Sequence, residues 1–312
     1  MIREPDDRPI DVLIPGGEAV RPFADHPNLR GILYDAEREP TREQQRATVI
    51  VVGLSDVEHE IAFMRALPQL KLVQTLSAGF DQWVVRLPAG VGLSNARGAH
   101  GRATAEWVAA VLLAHYRDLG AFAVSQAQKT WNNRITGSLE GKLVAVLGAG
   151  DIGTNIHRML APFGCQISLV GRSRRDGVIT MDDFRSIRSQ YDVIALAVPV
   201  APETREFVDA KFLASMKDGA VLVNLGRGAL VVTDALLAET QAGRLRAILD
   251  VTDPEPLPPS HPLWTSPGVT ITPHVAGATA GVLERAWKVA AHQIDMYARG
   301  ETPTNLIADP SR

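Results

Sequence analysis

The sequence predicts an α/β protein built on parallel sheets, and three observations carry that prediction. Short β-rich runs alternate with helical patterns from end to end, the signature of βαβ units. In the second half the runs are apolar on both alternating sets of positions, as in strands covered by helices on both faces. The 312 residues correspond to about two domains of ~150 residues each, and a hydrophobic content of 46% can supply a core to both.

The elements follow in order. Early strands are expected at Asp11 to Ile14, Thr48 to Val52 and Leu72 to Thr75, with a helix over Val57 to Ala66 that stops before Pro68. A longer helix is expected over Thr104 to Leu119, with Thr104 as its cap, Glu106 complementing its dipole and Gly120 ending it. A second series of strands covers Leu143 to Leu147, Gln166 to Val170, Asp192 to Val198, Ala220 to Asn224, Ala247 to Val251 and Val269 to Thr272. A proline-rich loop runs from Asp253 to Pro262.

Composition excludes several classes of function. Lys plus Arg number 32 against 35 Asp plus Glu, a net charge of −3, so no basic excess is available to bind nucleic acid or an anionic membrane. Cys165 is the single cysteine, which rules out an intramolecular disulfide, and no Cys/His spacing suits a metal; a reducing, cytoplasmic setting is expected. Met1 to Ile10 alternates charge and proline where a signal peptide would be apolar. The longest apolar runs, such as Trp107 to Ala114, are less than half of the about 20 residues that span a bilayer, so no membrane segment is expected.

The strongest local signal is Gly148-Ala-Gly150-Asp151-Ile152-Gly153, which lies between a strand and a helical pattern ending at Pro162 and Gly164. That context marks a dinucleotide site. Gly148 permits a tight turn, Gly150 lets the backbone approach a pyrophosphate, Gly153 lets helix and strand pack closely, and the N–H groups around Asp151 and Ile152 face the phosphates. The following strand leads into Gly171-Arg172-Ser173-Arg174-Arg175. No carboxylate is present there to hold a ribose 2′-hydroxyl, whereas Arg172, Ser173 and Arg174 suit a 2′-phosphate. NADP(H) is therefore favoured, with NAD(H) as the alternative.

Arg227, Glu255 and His274 each follow one of three successive strands, at the end where open α/β sheets bind ligands. Interconversion of a 2-hydroxy acid and a 2-keto acid needs a cation for the carboxylate and a proton donor for the carbonyl oxygen. The planar fork of Arg227 fits the first. His274, tuned and held by Glu255, fits the second.

These segments resemble the D-isomer-specific 2-hydroxyacid dehydrogenase family along nearly the whole chain. The matching stretches include Leu76-Ser-Ala-Gly-Phe-Asp81, Ala105-Glu106, Ala201-Pro-Glu-Thr204, Met216-Lys-Asp-Gly219, NLGRG around Arg227, DVTDPEP around Glu255, His261-Pro-Leu-Trp264 and TPHVAGAT around His274. The resemblance implies two Rossmann-like domains with doubly wound parallel sheets. Residues 1–98 and 281–312 would form a discontinuous substrate-binding domain, and residues 99–280 an inserted cofactor domain, with the active site in the cleft. It implies Arg227 as substrate clamp, Glu255 and His274 as the acid/base pair, and Val198, Pro199 and Asp250 near the cofactor, Asp250 at the nicotinamide carboxamide. The amides of Ser77, Ala78 and Gly79 would receive the substrate carboxylate.

Leu54 and Trp83 are expected to line the pocket. No Lys or Arg lies between Gly53 and Asp56, which favours a small, singly charged keto acid. The Arg pattern after Gly171 is similar to that of the family's glyoxylate and hydroxypyruvate reductases. The helix around Glu106 resembles one in the family's dimer interface, so a homodimer is expected. Two alternatives stay open: a non-enzymatic dinucleotide-sensing regulator of the corepressor type, and a phosphite or formate dehydrogenase of the same superfamily.

Overall fold

The computed structural model describes residues 9–16, 23, 26–53 and 57–308. The chain divides into two compact units, one made of Met1–His100 with Ala280–Arg312 and the other of Gly101–Thr279. In the first unit come β1 (Ile10–Pro15), β2 (Leu29–Tyr34), β3 (Val49–Val52), α1 (Val57–Arg65), β4 (Leu72–Thr75), the short α2 (Asp81–Val84) and β5 (Gly92–Ser94). The second unit begins with α3 (Gly101–Tyr116), α4 (Leu119–Ala127), β6 (Leu143–Leu147), α5 (Asp151–Leu160), β7 (Gln166–Gly171), β8 (Val178–Thr180) and α6 (Met181–Ile187). It continues with β9 (Val193–Leu196), α7 (Ala210–Ala214), β10 (Val221–Asn224), α8 (Thr233–Gln241), β11 (Arg246–Leu249) and β12 (Val269–Ile271). The chain then returns to the first unit as α9 (Val282–Ala298) and β13 (Leu306–Ala308).

The first sheet has the order β13-β5-β4-β3-β1-β2, parallel except that β13 runs antiparallel along β5. The second has the order β12-β11-β10-β9-β6-β7-β8 and is parallel throughout. From β6 the chain winds out through β7 and β8, then crosses back to β9 on the other side. The turn after β6 thus lies at a topological switch point, where such sheets take nucleotides.

Burial explains why these strands read as unbroken apolar runs. Along β6, Ala145 and Leu147 enter one core while Val144 and Val146 enter the core on the opposite face. On β9, Ile194 and Leu196 alternate with Val193 and Ala195 in the same way. The first unit repeats the pattern, with Val49 and Val51 of β3 in one core and Ile50 and Val52 in another. Each fully buried Val, Leu or Ile contributes about 1.5–3 kcal/mol, so covering both faces makes every strand residue stabilising.

The helix expected at Thr104 to Leu119 is corrected at both ends. It begins at Gly101, where a Cβ would strike the Asp151 carboxylate of α5, so the glycine sets how closely α3 and α5 pack. Thr104 lies inside the first turn, buried, and is not the cap. Nor is Gly120 the stop: the break comes at Asp118, which adopts a left-handed φ of 54°, and Gly120 sits within α4. A glycine costs a helix about 1 kcal/mol, too little to end one that neighbouring residues favour. Among the described residues, no single helix is long and apolar enough to cross a membrane.

Candidate active site

The candidate residues of the second unit sit on loops at the carboxyl ends of its parallel strands. After β10, the buried Asn224 closes the turn that carries Arg227. Its Oδ1 accepts the Gly226 N–H at 3.2 Å and its Nδ2 donates to the Arg227 carbonyl at 2.8 Å. The flanking glycines are needed for close approach. A Cβ on Gly226 would lie 2.8 Å from the Val198 carbonyl oxygen, and one on Gly228 would strike the Thr252 carbonyl on the loop that leads to Glu255. Arg227 is half-buried, and its Nη1 donates to the Gly226 carbonyl at 2.8 Å.

The loop after β11 is tied down by Thr233, whose hydroxyl donates to the Asp253 carbonyl at 2.9 Å, and by Thr252, which donates to the Pro254 carbonyl at 2.9 Å. Its Asp253-Pro254 and Glu255-Pro256 peptide bonds are cis. The loop after β12 holds His274 at a φ of 55°. Glu255 Oε1 and His274 Nδ1 are 2.6 Å apart.

The electrostatics of this pair are mutually consistent. The hydrogen bond from His274 holds the Glu255 carboxyl below the usual carboxylate range, aided by the charges of His274 and Arg227 and opposed by burial. The hydrogen bond to Glu255 raises the His274 pKa above the ordinary histidine value, against burial and the Arg227 charge. An ionised carboxylate only accepts hydrogen bonds, so Nδ1 carries the proton of the shared bond. Nε2 is then the nitrogen available to give or take a proton. Both side chains are about half exposed, so solvent reaches the pair.

Asp250 lies buried at the end of β11. Its Oδ1 accepts from the Thr272 hydroxyl at 2.6 Å and from the Val275 N–H at 2.9 Å, and its Oδ2 accepts from the Ala276 N–H at 2.9 Å. Sequence reasoning missed Asn224 and Thr272; the only signal for them was their place inside the segments that carry Arg227 and His274.

The glycine-rich turn between β6 and α5 has the form of a phosphate cradle. Gly148 has a φ of 119°, and a Cβ there would strike the Ala197 carbonyl. A Cβ on Gly153 would strike the Gly148 carbonyl. Gly150 differs, because no atom lies within 4 Å of where its Cβ would be; the space beside its backbone is open to a ligand. Ile152 packs against the core, and the Asp151 carboxylate accepts from Asn155 at 3.0 Å. Arg172 and Ser173 are exposed beyond β7. Arg174 pairs with Asp183 at 2.6 Å, and Arg175 donates to the Ala149 carbonyl at 2.7 Å, tying this loop to the glycine-rich turn. Val198 and Pro199 follow β9, with the Pro199 carbonyl accepting from the Thr204 hydroxyl at 2.8 Å. These groups fit a nicotinamide dinucleotide: open backbone for the pyrophosphate, and guanidinium groups beyond the second strand.

In the first unit, the loop after β4 presents its amides. The Ser77 carbonyl accepts from the Thr75 hydroxyl at 2.8 Å and the Ala96 N–H at 2.9 Å, the Ala78 carbonyl from Asn95 Nδ2 at 2.7 Å, and the Gly79 carbonyl from the Ser77 hydroxyl at 2.7 Å. With all three carbonyls engaged, the N–H groups of Ser77, Ala78 and Gly79 have no acceptor among the described residues. Trp83 is corrected from pocket wall to core: it is 2% exposed and packs in the apolar cluster beneath β3 and β4, because α2 turns its ring inward. Leu54 lies outside the described residues.

Residues 109–276 match a sequence model described as the D-isomer-specific 2-hydroxyacid dehydrogenase NAD-binding domain, a span contained in the second unit. The chain is 32% identical over 261 residues to a glyoxylate reductase of Thermofilum pendens, covering 78% of this chain and 76% of the relative. Among solved structures it is similar to a D-isomer-specific 2-hydroxyacid dehydrogenase of Xanthobacter autotrophicus in complex with NADPH and MES, with 28% identity, a TM-score of 0.82 and coverage of 96% and 98% of the two chains. It is also similar to an NADPH-dependent glyoxylate/hydroxypyruvate reductase of Sinorhizobium meliloti in complex with NADP and sulfate, with 26% identity, a TM-score of 0.81 and the same coverage.

Proposed function

The chain belongs to the D-isomer-specific 2-hydroxyacid dehydrogenase family, and from that premise we propose that it reduces a small 2-keto acid, such as glyoxylate or hydroxypyruvate, with NADPH. The observation that carries the reading is the Glu255–His274 pair at 2.6 Å, within electrostatic reach of Arg227, on adjacent strand ends of a nucleotide-binding sheet.

The bound cofactor supplies the hydride. Arg227 clamps the substrate carboxylate through its planar fork, and the amides of Ser77, Ala78 and Gly79, which have no acceptor among the described residues, offer a second anion receptor. As the carbonyl oxygen gains negative charge, His274 delivers the proton from Nε2 and is reprotonated from solvent. Glu255 holds the ring and stabilises its cationic form, which keeps the acid charged to higher pH than an ordinary histidine. The first unit is assigned to substrate binding and the second to the cofactor. A regulator that only senses a dinucleotide has no use for this proton donor.

NADPH is preferred in this reading because the four residues after β7, Arg172 to Arg175, include no carboxylate, whereas Arg172 and Ser173 are exposed there beside Arg174. A homodimer is proposed as well. Helix α4 buries none of its residues, and beyond it Trp131 and Ile135 are 96% and 99% exposed, an apolar arm that a lone chain leaves in water. A reducing cytoplasm suits the single cysteine, Cys165, whose thiol pKa is raised by burial.

The test is a panel of 2-keto acids assayed with NADPH and with NADH by loss of the reduced-nicotinamide absorbance. Turnover of a small keto acid with NADPH is expected, and Arg227→Ala is expected to abolish most of it while cofactor still binds. No turnover across the panel rejects the activity.

A further inference from the structure

The family resemblance puts Asp250 beside the cofactor, yet its buried carboxylate turns to one short stretch of its own chain. Three donors reach the two carboxylate oxygens: the Thr272 hydroxyl, the Val275 N–H and the Ala276 N–H. The Asp250 backbone carbonyl accepts the His274 N–H at 2.8 Å. The loop from Thr272 to Ala276 is thus wrapped around a single aspartate, and His274 sits at the centre of the wrap.

We propose that Asp250 and Thr272 are positioning residues for the His274–Glu255 pair: the buried carboxylate folds residues 272–276 around itself and fixes His274 in a left-handed backbone conformation with its ring on Glu255. This deepens the reading of His274 as the proton donor and rests on it for its catalytic meaning.

The physical argument begins at the backbone. A non-glycine residue at a φ of 55° is held there only when its surroundings over-determine it. A left-handed residue turns successive N–H groups to one side, forming a concave nest that suits an anion. The amides of Val275 and Ala276 fill that role, and Thr272 closes it from the other end. With the carboxylate gone, the loop keeps the backbone bond from the His274 N–H to the Asp250 carbonyl but loses the three bonds that gather Thr272, Val275 and Ala276, and residue 274 is freed to relax towards extended backbone. The ring would then leave Glu255. The charges that act on the His274 ring are Glu255 and Asp250, which favour its cationic form, and Arg227, which opposes it.

The test reads the His274 Cε1–H titration by NMR in the ligand-free protein, with the resonance assigned by its loss in His274→Gln. NADPH affinity is measured by fluorescence and turnover with whichever keto acid wild type reduces. Thr272→Val keeps the shape of the side chain and deletes the donor. In that variant His274 is expected to titrate closer to the ordinary value of about 6.5. Turnover should fall about tenfold, the scale of one lost charge-assisted hydrogen bond, with NADPH affinity unchanged. Thr272→Ser should restore both. An unmoved His274 titration in a folded Thr272→Val protein overturns the proposal, as does an Asp250→Asn protein that loses NADPH affinity while its His274 titrates as in wild type. If Thr272→Val does not fold, a crystal structure of Asp250→Asn decides, and a Glu255–His274 pair still at 2.6 Å there overturns the proposal. A wild type that reduces no keto acid but whose variants move the titration as stated rejects the activity and supports the positioning role.

Discussion

At the scale of single residues, the chemistry rests on one shared proton position. In the proposed reaction, reduction needs His274 protonated, and Glu255 raises its pKa. Activity should therefore persist above the ordinary histidine value and fall as pH rises through the raised one. Glu255→Gln removes the main cause of the shift and leaves burial and Arg227, which favour the neutral ring, against the weaker pull of the Asp250 charge. Its alkaline limb in reductive kcat/KM is expected at lower pH than in wild type, and an unmoved limb rejects Glu255 as the partner that tunes the acid. Arg172→Ala is expected to raise KM for NADPH about tenfold or more while KM for NADH stays the same, as for a lost charge-assisted contact to a 2′-phosphate; equal effects on both cofactors reject that contact. That Arg227, Glu255 and His274 each follow one of three successive strands was legible, because those strands read as apolar runs. Thr272 and Asn224 were not, since their role is a hydrogen bond set by how two loops fold, and spacing along the chain carries no record of it. Trp83 misled because sequence does not reveal which way a four-residue helix turns an aromatic ring.

At the scale of elements, the glycines separate binding from folding. Gly150 has open space where a Cβ would go and a φ of −89° that any residue can adopt. Gly150→Ala should keep the melting temperature within about 2 °C of wild type, a change of well under 1 kcal/mol, while sharply weakening NADPH binding. Gly228→Ala forces the Thr252 carbonyl to move, and is expected to cost about 1–3 kcal/mol and displace Glu255. Thermal melts alongside cofactor titrations distinguish them; a Gly150→Ala protein with full NADPH affinity excludes the cradle. The central strands could be read because burial on both faces leaves no polar interruptions. Strands β5, β8 and β13 have three residues each, too few for any periodicity. Strand β2 lies at the edge of its sheet with Arg30 and Leu33 exposed, so its pattern alternates with neither face. Helix α4 escaped because it follows α3 after only two residues and Gly120 resembles a terminus.

At the scale of the whole molecule, the order of the motifs along the chain leads to the expectation of a discontinuous first domain, whereas the apolar arm beyond α3 was not legible, because burial cannot be read from apolar residues alone. Sedimentation at micromolar concentration should give twice the chain mass, and Trp131→Asp should shift it towards a single chain; wild type at a single chain mass rejects the dimer. The interrupted first unit has a further consequence for synthesis. Ala286, Ala290 and Ile294 of α9 share a core with Val12, Val49 and Leu72, and Leu306 pairs with Ser94. A ribosome making this chain releases the N-terminal strands long before the helix that covers them. At 5–20 residues per second, the intervening Gly101–Thr279 takes roughly 10–40 s to emerge. The second unit, continuous in sequence, can complete its core in that interval, while the nascent N-terminal segment exposes the apolar face that α9 will cover and is the stretch a chaperone would have to guard.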